Sequence, residues 1–527
     1  MLSLPGGEGW GEGAEGDQCL CSLLYKGPSV ITSLAEPTTS FTSLPPAFSG
    51  IEQLFAAQRA NRWAMAQTTA PERQQRLLRF KAAINAHRSA LHQAFQADYG
   101  KPQVEVDLVE ILPVLSEIDH AVAELERWMR PRAVAAPLML VGSHSEIRME
   151  PRGVVLILGP YNYPLLLLLT PIVAAVAAGN CVIARPSEKV PNVARVMGTI
   201  IAAAFPPQEV ALVAGDIDQA DALLKLPFDH FFFTGSGAVG RKVMHAAAEH
   251  LSSVTLELGG KSPAFIDQTA DLGRVVERLV WGKTINAGQT CVAPDYVLVH
   301  ESRRDAFIEA AKTVITRFYG ANPAAQLRSP DLTQMIDDRA FLRLSGTLQA
   351  AIADGAVVAA GGVADPAQRK IAPTLLTNVA FDNSIMADEI FGPILPVLAY
   401  KTLDEALALV NSKDKPMALY IFSQDEGTIE RILQSTTSGG AVVNDTLIHL
   451  GNPNLPFGGT GPSGTGSYHG EYGFRAFSHE RAVLRQGNLS TMRLLYPPYT
   501  GRSRLILKLA HNLLYGILPA LRRVFRP

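Results

Sequence analysis

The 527-residue chain has little cysteine and little net charge. Its four cysteines, at positions 19, 21, 181 and 291, are too few for a disulfide framework, and this low usage is typical of a reducing compartment. No cysteine and histidine cluster has the spacing of a metal site, so no metal is expected. The formal net charge of -2 argues against nucleic acid as the main partner. A basic start followed by an apolar stretch, typical of secretory signals, is also missing, and we expect a cytoplasmic protein.

Long uninterrupted apolar runs are missing as well. Residues 153–184 carry no charge, but Gly159, Pro160 and Pro164 interrupt them, which favours a strand, a loop and a buried helix over a membrane span. Hydrophobic residues nevertheless make up 47% of the chain, enough for large cores, and the length predicts two or three domains. Residues 1–50 are rich in Gly, Glu, Ser, Thr and Pro, which predicts a disordered N-terminal extension.

The rest of the chain follows an alternating pattern. Residues 51–130 have a helical composition. From residue 153 onward, short runs of β-forming residues alternate with helical segments, which predicts an α/β fold with a parallel, doubly wound sheet. A second alternating set follows Leu258, so we predict a domain boundary near residues 257–260. The predicted strands are 154–159, 181–185, 210–215, 230–235, 253–258, 296–300, 356–362, 396–400 and 419–423. The predicted helices are 165–178, 191–205, 218–224, 238–250, 271–286, 303–318 and one from Asp404.

A glycine-rich turn, Gly235-Ser-Gly-Ala-Val-Gly240, follows the predicted strand 230–235 and opens a helix. Glycines let backbone N–H groups approach a phosphate, and a helix N-terminus favours its negative charge, so this context indicates a nucleotide site. Glu257 lies about 20 residues downstream, where such folds often keep a ribose-binding acid. A tight turn without a ligand is the alternative interpretation.

Cys291 lies in the small, polar segment NAGQTCVAP, residues 286–294. The flanking residues indicate a turn rather than a core strand. A partly exposed and locally stabilised thiolate there would be a nucleophile. A buried, inert thiol is the alternative, and the residues alone leave the two interpretations evenly balanced.

Three other polar segments are candidates. Glu257 lies in an apolar strand, where loss of water would raise its pKa toward that of a general base, unless it pairs with Lys261. Asn162, in GPYNYP, either donates its amide to an oxyanion or only shapes a turn. Glu389 and Phe391 stand beside a Gly-Pro turn, which is also compatible with a surface loop.

In this order, the segments GPYNYP, ARPSE, FTGSGAVG, TLELGGKSP, NAGQTCVAP, EIFGPILPV and LPFGGTGPSG closely resemble those of the NAD(P)-dependent aldehyde dehydrogenases. The strings VTLELGGKSP, GQTCVAPDY, EIFGP and GSYHG are most similar to class 3, the fatty, aromatic and coniferyl aldehyde branch. The resemblance covers about residues 51–490. It implies the aldehyde dehydrogenase fold, with a Rossmann-like cofactor domain, an α/β catalytic domain and a small bridging β-flap used for dimerisation.

The resemblance also implies a division of the chain. Residues 1–50 remain an extension. Residues 51–130 and 151–258 would form the NAD(P)-binding domain, and residues 259–440 the catalytic domain. Residues 131–150 and 441–490 would form the bridging and oligomerisation element of a homodimer, followed by a basic amphipathic tail at 491–527.

By the same resemblance, Cys291 would be the nucleophile and Asn162 an oxyanion donor. Glu257 would be the general base, and this role replaces the ribose contact that its spacing from the glycine-rich turn suggested. Arg185 and Glu188 would contact the adenosine ribose. The residues expected near the rest of the cofactor are Gly235, Ser236 and Gly240 at the pyrophosphate, and Glu389 and Phe391 at the nicotinamide ribose and ring.

The implied reaction oxidises an aldehyde to a carboxylic acid through a thiohemiacetal and a thioester on Cys291. The cofactor would be NAD or NADP, and NAD is favoured, although Arg185 replaces the usual lysine of the family and leaves this preference open. Tyr161 replaces the usual tryptophan. Leucines 165–169 match the region of the family's substrate tunnel, or are helix core, and favour a medium- or long-chain aliphatic, or an aromatic, aldehyde.

The sequence disfavours three other functions. A CoA-acylating dehydrogenase is disfavoured by the intact Glu257. A cysteine esterase without a cofactor would leave the glycine-rich turn and the EIFGP segment unexplained. A non-catalytic protein is disfavoured because Cys291, Glu257 and Asn162 are retained together.

Residues 501–527 contain five arginines and one lysine but no acidic residue. Helical spacing places Arg504 and Lys508 on one side and Leu505, Leu509 and Leu513 largely on the other. The apolar helix before Pro519 has about 14 residues, too few to cross ~30 Å of hydrocarbon. The pattern predicts either a peripheral membrane contact or packing on a dimer partner, and both interpretations stay open.

Overall fold

The computed structural model describes residues 44–45, 47–137, 140–488 and 490–517. The first helices come from the segment with helical composition. The last of them buries Val114, Ile118, Ala121 and Leu125, which follow a three-to-four-residue spacing on one face. A single π-helical turn, Asp107–Ile111, precedes that helix. The helices are α1 Ile51–Ala66, α2 Ala70–Ala86, α3 Arg88–Tyr99, α4 Gln103–Val106 and α5 Leu112–Met129.

Strands and helices then alternate through the middle of the chain. The elements are β1 Arg132–Val134, β2 Ser143–Pro151, β3 Val154–Leu158, α6 Leu166–Ala178, β4 Cys181–Arg185, α7 Pro191–Ala204, β5 Val210–Leu212, α8 Ile217–Leu224, β6 His230–Thr234, α9 Gly237–Glu249 and β7 Ser253–Glu257.

A second alternating set follows. Its elements are β8 Pro263–Ile266, α10 Leu272–Thr284, β9 Tyr296–His300, α11 Arg304–Tyr319, α12 Pro323–Arg328, α13 Asp338–Ala353, β10 Val357–Ala360, β11 Ala364–Asp365, β12 Lys370–Ile371, β13 Thr374–Thr377, β14 Ile394–Tyr400, α14 Leu403–Asn411, β15 Ala418–Phe422, α15 Glu426–Ser435 and β16 Gly440–Val443. The final elements are β17 Gly464–Thr465, α16 Gly470–Ala476, β18 Ser478–Gln486 and α17 Gly501–His511.

The first large sheet has six strands in the order β17-β7-β6-β3-β4-β5. Strand β3 pairs in parallel with both β4 and β6, so the strand order reverses on either side of it. Every residue of β3, β4 and β6 is buried, which explains why these strands appear in the sequence as continuous apolar runs. In such sheets the crevice at the carboxyl ends of the strands, where the order reverses, is the usual ligand site.

The second large sheet has seven strands in the order β10-β13-β14-β9-β8-β15-β16. Its strands run parallel except for β10, which pairs antiparallel with β13. The chain leaves the first sheet at Glu257 and enters the second at Pro263. The carboxyl end of β7 is therefore joined to the second sheet by only a short connection.

A smaller antiparallel sheet has the order β1-β2-β18. Strand β18 pairs with β2 along its full length, from Ser478 opposite Pro151 to Gln486 opposite Ser143. Most residues of β18 are exposed, and the strand is an edge of its sheet. An exposed edge of this length offers backbone groups for pairing with another chain.

Most predicted elements agree with the structure to within one or two residues, and two differences have a backbone cause. The predicted helix 271–286 ends at Thr284 because Asn286 and Ala287 take left-handed conformations, with φ of 53° and 52°. The predicted strand 356–362 ends at Ala360 because Gly361 and Gly362 have φ of 73° and 77°.

The C-terminal tail is helical from Gly501 to His511 and continues as a π-helical turn, Asn512–Ile517. Leu505, Leu509 and Leu513 are exposed on it. No helix in the described ranges is long and apolar enough to cross a membrane. The predicted disordered extension covers residues 1–50, of which residues 1–43 and 46 lie outside the described residues, as does the tail beyond residue 517.

Candidate active site

Asn162 and the cysteine loop meet at the carboxyl edge of the first sheet. Asn162 lies in the turn after β3 and is buried. Its side-chain Nδ2 donates to the carbonyl oxygen of Gln289 at 3.1 Å. Its own carbonyl oxygen accepts from Tyr99 Oη at 3.1 Å and from Asn286 Nδ2 at 2.9 Å. The structure thus brings the predicted oxyanion donor against the loop that carries Cys291.

The loop before Cys291 is a tight turn between residues 285 and 288. Gly288 has a φ of 71°, and a Cβ there would collide with the carbonyl group of Gly392. Only glycine allows this close approach between the cysteine loop and the turn at Glu389–Pro393. The predicted nucleophile segment and the predicted nicotinamide segment are therefore neighbours.

Cys291 is a free, partly exposed cysteine. Its pKa is raised to about 12, first by removal of the thiol from water and then by the carboxyls of Glu389 and Glu257. The backbone N–H groups of Cys291 and Val292 act in the opposite direction. We expect the surroundings of a nucleophilic Cys291 to stabilise a thiolate. In the protein alone they do not, because the charged groups that affect the thiol are the carboxyls of Glu389 and Glu257.

Glu257 is the last residue of β7 and is 2% exposed. Neither of its carboxyl oxygens has a hydrogen-bond partner among the described residues. Burial raises the pKa of Glu257 well above its usual value. Lys261, the partner considered in the sequence, instead pairs with Asp295 at 2.6 Å. Glu257 is therefore an acid without a counter-ion, close enough to Cys291 to affect its titration.

Glu389 and Phe391 belong to the segment that packs against the cysteine loop. A side chain on Gly259 would collide with the Glu389 carboxyl, which also accepts from the Gly260 backbone N–H. Burial, and secondly Asp295, raises the pKa of Glu389 to about 8. The Phe391 ring packs edge-on against Tyr161 at 6.1 Å. The surface-loop interpretation of this segment therefore does not hold for Glu389.

The glycine-rich turn opens helix α9, as the pattern predicts. The Ser236 hydroxyl caps the helix by accepting from the Val239 N–H at 3.5 Å. A Cβ on Gly240 would lie 2.8 Å from Leu258, and one on Gly235 would lie 2.5 Å from the Phe233 ring. Packing alone therefore requires both glycines. The 13-residue helix begins next to the crevice, so its N-terminus fits a pyrophosphate.

Arg185 and Glu188 lie at the end of β4. Arg185 donates to the carbonyl oxygens of Gly215 and Asp216 at 3.1 and 2.9 Å, and it pairs with Glu188 at 2.9 Å. The Glu188 side chain remains 38% exposed. The charge of Arg185 is thus already paired, and Glu188 presents a carboxylate to solvent.

The structure also places residues at the site for which the sequence predicted no role. Tyr468 is fully buried, its hydroxyl has no partner among the described residues, and its pKa is raised by burial and then by Glu257 and Cys291. Tyr163 shares a hydrogen bond of 2.6 Å with the hydroxyl of Thr290. The string GSYHG contains Tyr468, so a resemblance pointed to the segment but not to the hydroxyl.

The leucines after Pro164 belong mainly to the core. Leu165, Leu168 and Leu169 are fully buried, and Leu167 is nearly so. Leu166 is partly exposed. The helix-core interpretation therefore holds for most of this segment, and it carries little information about the substrate.

The crevice at the reversal of strand order, the helix that begins beside it and the Cys291 loop held against the Asn162 turn indicate the class of the dinucleotide-dependent oxidoreductases. Residues 51–483 match the aldehyde dehydrogenase family. The protein therefore belongs to the aldehyde dehydrogenase family, whose members oxidise aldehydes to acids with NAD or NADP.

Curated relatives agree with this assignment. The chain is 43% identical to 4,4'-diaponeurosporen-aldehyde dehydrogenase of Staphylococcus aureus, over 82% of this chain and 93% of that protein. It is 42% identical to the probable coniferyl aldehyde dehydrogenase of Pseudomonas aeruginosa, over 88% of this chain and 96% of that protein. Aldehyde dehydrogenase family 3 member A2 of Rattus norvegicus is 40% identical, over 81% and 87% of the respective chains. The class 3-like resemblance is confirmed.

Solved structures agree as well. The substrate-bound AldH of Staphylococcus aureus superposes with a TM-score of 0.83 at 42% identity, over 88% of this chain and 100% of that chain. A Mycobacterium tuberculosis aldehyde dehydrogenase complexed with NAD+ superposes with a TM-score of 0.76 at 26% identity, over 83% and 91%. The fold prediction is confirmed, and the protein is an NAD(P)-dependent oxidoreductase.

Proposed function

We propose that the protein oxidises a medium- or long-chain aliphatic, or an aromatic, aldehyde, with Cys291 as the nucleophile. The observation that carries the proposal is the contact between the Asn162 amide and the cysteine loop, with Glu257 close to the same thiol. The relatives named for coniferyl aldehyde and for the carotenoid aldehyde diaponeurosporenal support a large, apolar substrate.

In the first step, the Cys291 thiol gives its proton to water, its sulfur attacks the carbonyl carbon, and the carbonyl oxygen becomes an oxyanion. The Asn162 Nδ2 has two hydrogens, and only one is used by the Gln289 carbonyl, so the other is free to donate to the oxyanion. The Cys291 backbone N–H, which already faces the sulfur, is the second donor. These two groups stabilise the thiohemiacetal.

NAD(P)+, when bound, would supply the hydride acceptor, and loss of hydride from the same carbon would leave a thioester on Cys291. Glu257 then takes a proton from water, and the resulting hydroxide attacks the thioester carbon. The carbon–sulfur bond breaks, the carboxylic acid leaves and the thiol is restored. Burial raises the pKa of Glu257 well above its usual value, so its carboxylate accepts a proton more readily than that of an exposed glutamate.

The pKa of about 12 keeps Cys291 protonated at neutral pH in the protein alone. A positive charge beside the thiol lowers its pKa, and the nicotinamide ring of NAD(P)+ carries one. With a pKa of about 8, Glu389 is mostly neutral at pH 7 and opposes the thiolate little. Binding of the oxidised cofactor would therefore activate the nucleophile.

We propose NAD as the preferred cofactor. The exposed Glu188 carboxylate suits the two ribose hydroxyls of NAD, and it would repel the 2′-phosphate of NADP. Arg185, the cation that would attract that phosphate, is already paired with Glu188. Gly235, Ser236 and Gly240 would hold the pyrophosphate, and Glu389 and Phe391 the nicotinamide half.

We further propose a homodimer, since β18 leaves an exposed strand edge of nine residues. The exposed leucines of α17 support a peripheral contact with a membrane surface or with the dimer partner. In either case the protein would act in the cytoplasm or on the cytoplasmic face of a membrane.

Replacing Cys291 tests the proposal. We expect Cys291→Ala to lose production of reduced cofactor with all members of a panel of aliphatic and aromatic aldehydes, measured with NAD and with NADP. Cys181→Ala is the matched control, because Cys181 is also a free cysteine but is buried in β4. Retained turnover in Cys291→Ala would exclude the nucleophile assignment, and faster turnover with NADP would overturn the preference for NAD.

A further inference from the structure

Three successive residues just before Cys291 have a left-handed backbone. The φ angles are 53° at Asn286, 52° at Ala287 and 71° at Gly288. Only glycine takes this conformation without cost, so asparagine and alanine keep it only where their surroundings hold it. The question is which contacts hold this turn.

A carboxylate from a distant part of the chain lies against the turn. The backbone N–H of Asn286 donates to Oε2 of Glu105 at 3.1 Å, and the Thr333 hydroxyl donates to the same oxygen at 3.3 Å. Asn286 itself is fully buried, and its side chain donates to the carbonyl of Asn162. Glu105 therefore holds the residue that links the cysteine loop to the proposed oxyanion donor.

The segment that carries Glu105 contacts both proposed catalytic loops. Glu105 lies in α4, and the π-helical turn Asp107–Ile111 follows directly. Within that turn, Glu110 is fully buried, pairs with Lys101 at 2.6 Å and accepts from the Leu166 N–H at 3.0 Å. Leu166 begins the helix that follows the Asn162 turn. Two acids of one short segment thus hold the backbone of the cysteine loop and of the helix after the Asn162 turn.

We propose that Glu105 is a positioning residue for Cys291: its carboxylate holds the left-handed turn, and the turn directs the thiol and the Asn162 amide at the same carbonyl group. This inference rests on the proposed function, because it takes Cys291 as the nucleophile. Glu105 does not touch the reacting atoms, so its effect is on the geometry of the loop.

The charge of Glu105 changes near neutral pH. Burial raises its pKa to about 7, while Lys101, the Asn286 N–H and the Thr333 hydroxyl lower it. Asp331 raises it further. The tyrosines whose titration Glu105 affects, and which therefore face it from other elements, are Tyr99, Tyr163 and Tyr319.

Activity and stability should respond to this group with opposite signs. Because the pKa of Glu105 in the folded protein lies above its usual 4.5, this group's contribution to stability falls as pH rises from 4.5 through about 7. An ionised carboxylate accepts hydrogen bonds more strongly than a neutral acid, so the turn is held more tightly at the higher pH. A purely structural role would move both quantities together.

The test compares Glu105→Ala, Glu105→Gln and the control Asp107→Asn. Asp107 lies on the same segment, but it is partly exposed and pairs with Arg88 and His92. Asp107→Asn therefore removes a charge from the segment and leaves the hydrogen bond to Asn286 in place. The measurements are kcat, KM for an aldehyde and for NAD, the pH dependence of kcat, the melting temperature and the rate at which iodoacetamide alkylates Cys291. The alkylation rate needs no aldehyde or cofactor.

We expect Glu105→Ala to lower kcat on the order of tenfold to a hundredfold, with KM for the cofactor little changed, and to change the alkylation rate. Glutamine keeps a carbonyl acceptor for the Asn286 N–H but does not ionise. Glu105→Gln should therefore match the wild type at about pH 6 and fall roughly fivefold behind it at about pH 8. Asp107→Asn should match the wild type throughout.

Two results would overturn the inference. One is a ratio of wild-type to Glu105→Gln activity that does not change across neutral pH. The other is a Glu105→Ala variant with wild-type kcat and alkylation rate. If Glu105→Ala does not fold, the inference is tested by the pH dependence of the ratio of wild-type to Glu105→Gln activity alone. Failure of the proposed function is distinguished by Cys291→Ala, since activity retained in that variant refutes the nucleophile whatever the Glu105 variants do.

Discussion

Burial without a partner is what sets Glu257 apart from the other acids. Glu110 is also fully buried and Glu105 is partly buried, but each accepts hydrogen bonds from defined donors. Both oxygens of Glu257 lack such donors among the described residues. An unsatisfied buried carboxyl costs free energy of folding, and such groups are retained mainly where function requires them. This contrast supports Glu257 as the proton acceptor.

Glu257→Gln should separate the two halves of the reaction. Glutamine preserves the shape but accepts no proton from water, so the thioester should form normally and then break down slowly. We expect an initial burst of reduced cofactor followed by a steady-state rate about 10²–10⁴-fold below that of the wild type. Rapid-mixing absorbance measurements check both phases.

The control for this change is Glu249→Gln, at the exposed end of α9. It should leave both phases unaltered. A Glu257→Gln variant that keeps the wild-type steady-state rate would show that another group activates water.

At the scale of elements, one buried ion pair connects the two central strands of the second sheet to the segment of Glu389. Lys261, just before β8, donates to the carbonyl oxygens of Ile385 and Asp388 at 3.0 and 2.7 Å. Asp295, just before β9, accepts from the Ile390 N–H at 3.0 Å. The pair therefore holds the backbone on both sides of the proposed ribose contact.

Lys261→Met should weaken cofactor binding and the fold together. It removes two hydrogen bonds from the segment and leaves Asp295 as a buried charge, with Lys283 only at 3.9 Å. Breaking a buried pair in this way costs about 3–5 kcal/mol of unfolding free energy. We expect denaturant titration to show that loss and calorimetry to show weaker NAD binding.

Lys312→Met on the surface of α11 is the matched control, since Lys312 pairs with the largely exposed Glu309. Its unfolding free energy should change by less than about 1 kcal/mol. If Lys261→Met binds NAD with unchanged affinity, the ion pair serves the fold alone.

At the scale of the whole molecule, two exposed features support the proposed contacts with another surface. One is the outer edge of β18, and the other is the set of exposed leucines on α17. The division into cofactor, catalytic and bridging domains also remains a prediction at this scale, although the change of sheet between Glu257 and Pro263 supports its main boundary.

Removal of residues 501–527 should abolish sedimentation with anionic lipid vesicles while leaving turnover of a soluble aldehyde unchanged. A basic helix with exposed leucines binds such surfaces through both charge and apolar burial. A Leu505→Ser/Leu509→Ser variant keeps every basic residue and should bind more weakly than the full chain. Equal free fractions of full-length and truncated protein would exclude membrane binding, and a change in oligomeric state on truncation would favour the dimer contact.

Three of the proposed catalytic residues were predicted from the sequence alone. Cys291, Asn162 and Glu257 each stand at the end of an apolar run or in a short turn of small residues, where the local pattern already separates them from the core. Glu105 offered no comparable signal, because it lies 181 residues before the Asn286 that it holds. For Leu165 the sequence carries a signal with two interpretations, because a run of leucines is compatible with a substrate tunnel and with a helix core. The side chain is fully buried in the structure, which favours the core.

The sequence by itself determined the alternation of strands and helices, the glycine-rich start of α9 and the family, because these depend on residues that are neighbours along the chain. Only the tertiary structure decided which charges meet. Lys261 was a plausible partner for Glu257 by spacing, yet it pairs with Asp295, and Glu257 keeps no partner. The physical reason is that burial and pairing depend on distance in space, and the pairing of β8 with β9 places Lys261 within 2.6 Å of Asp295.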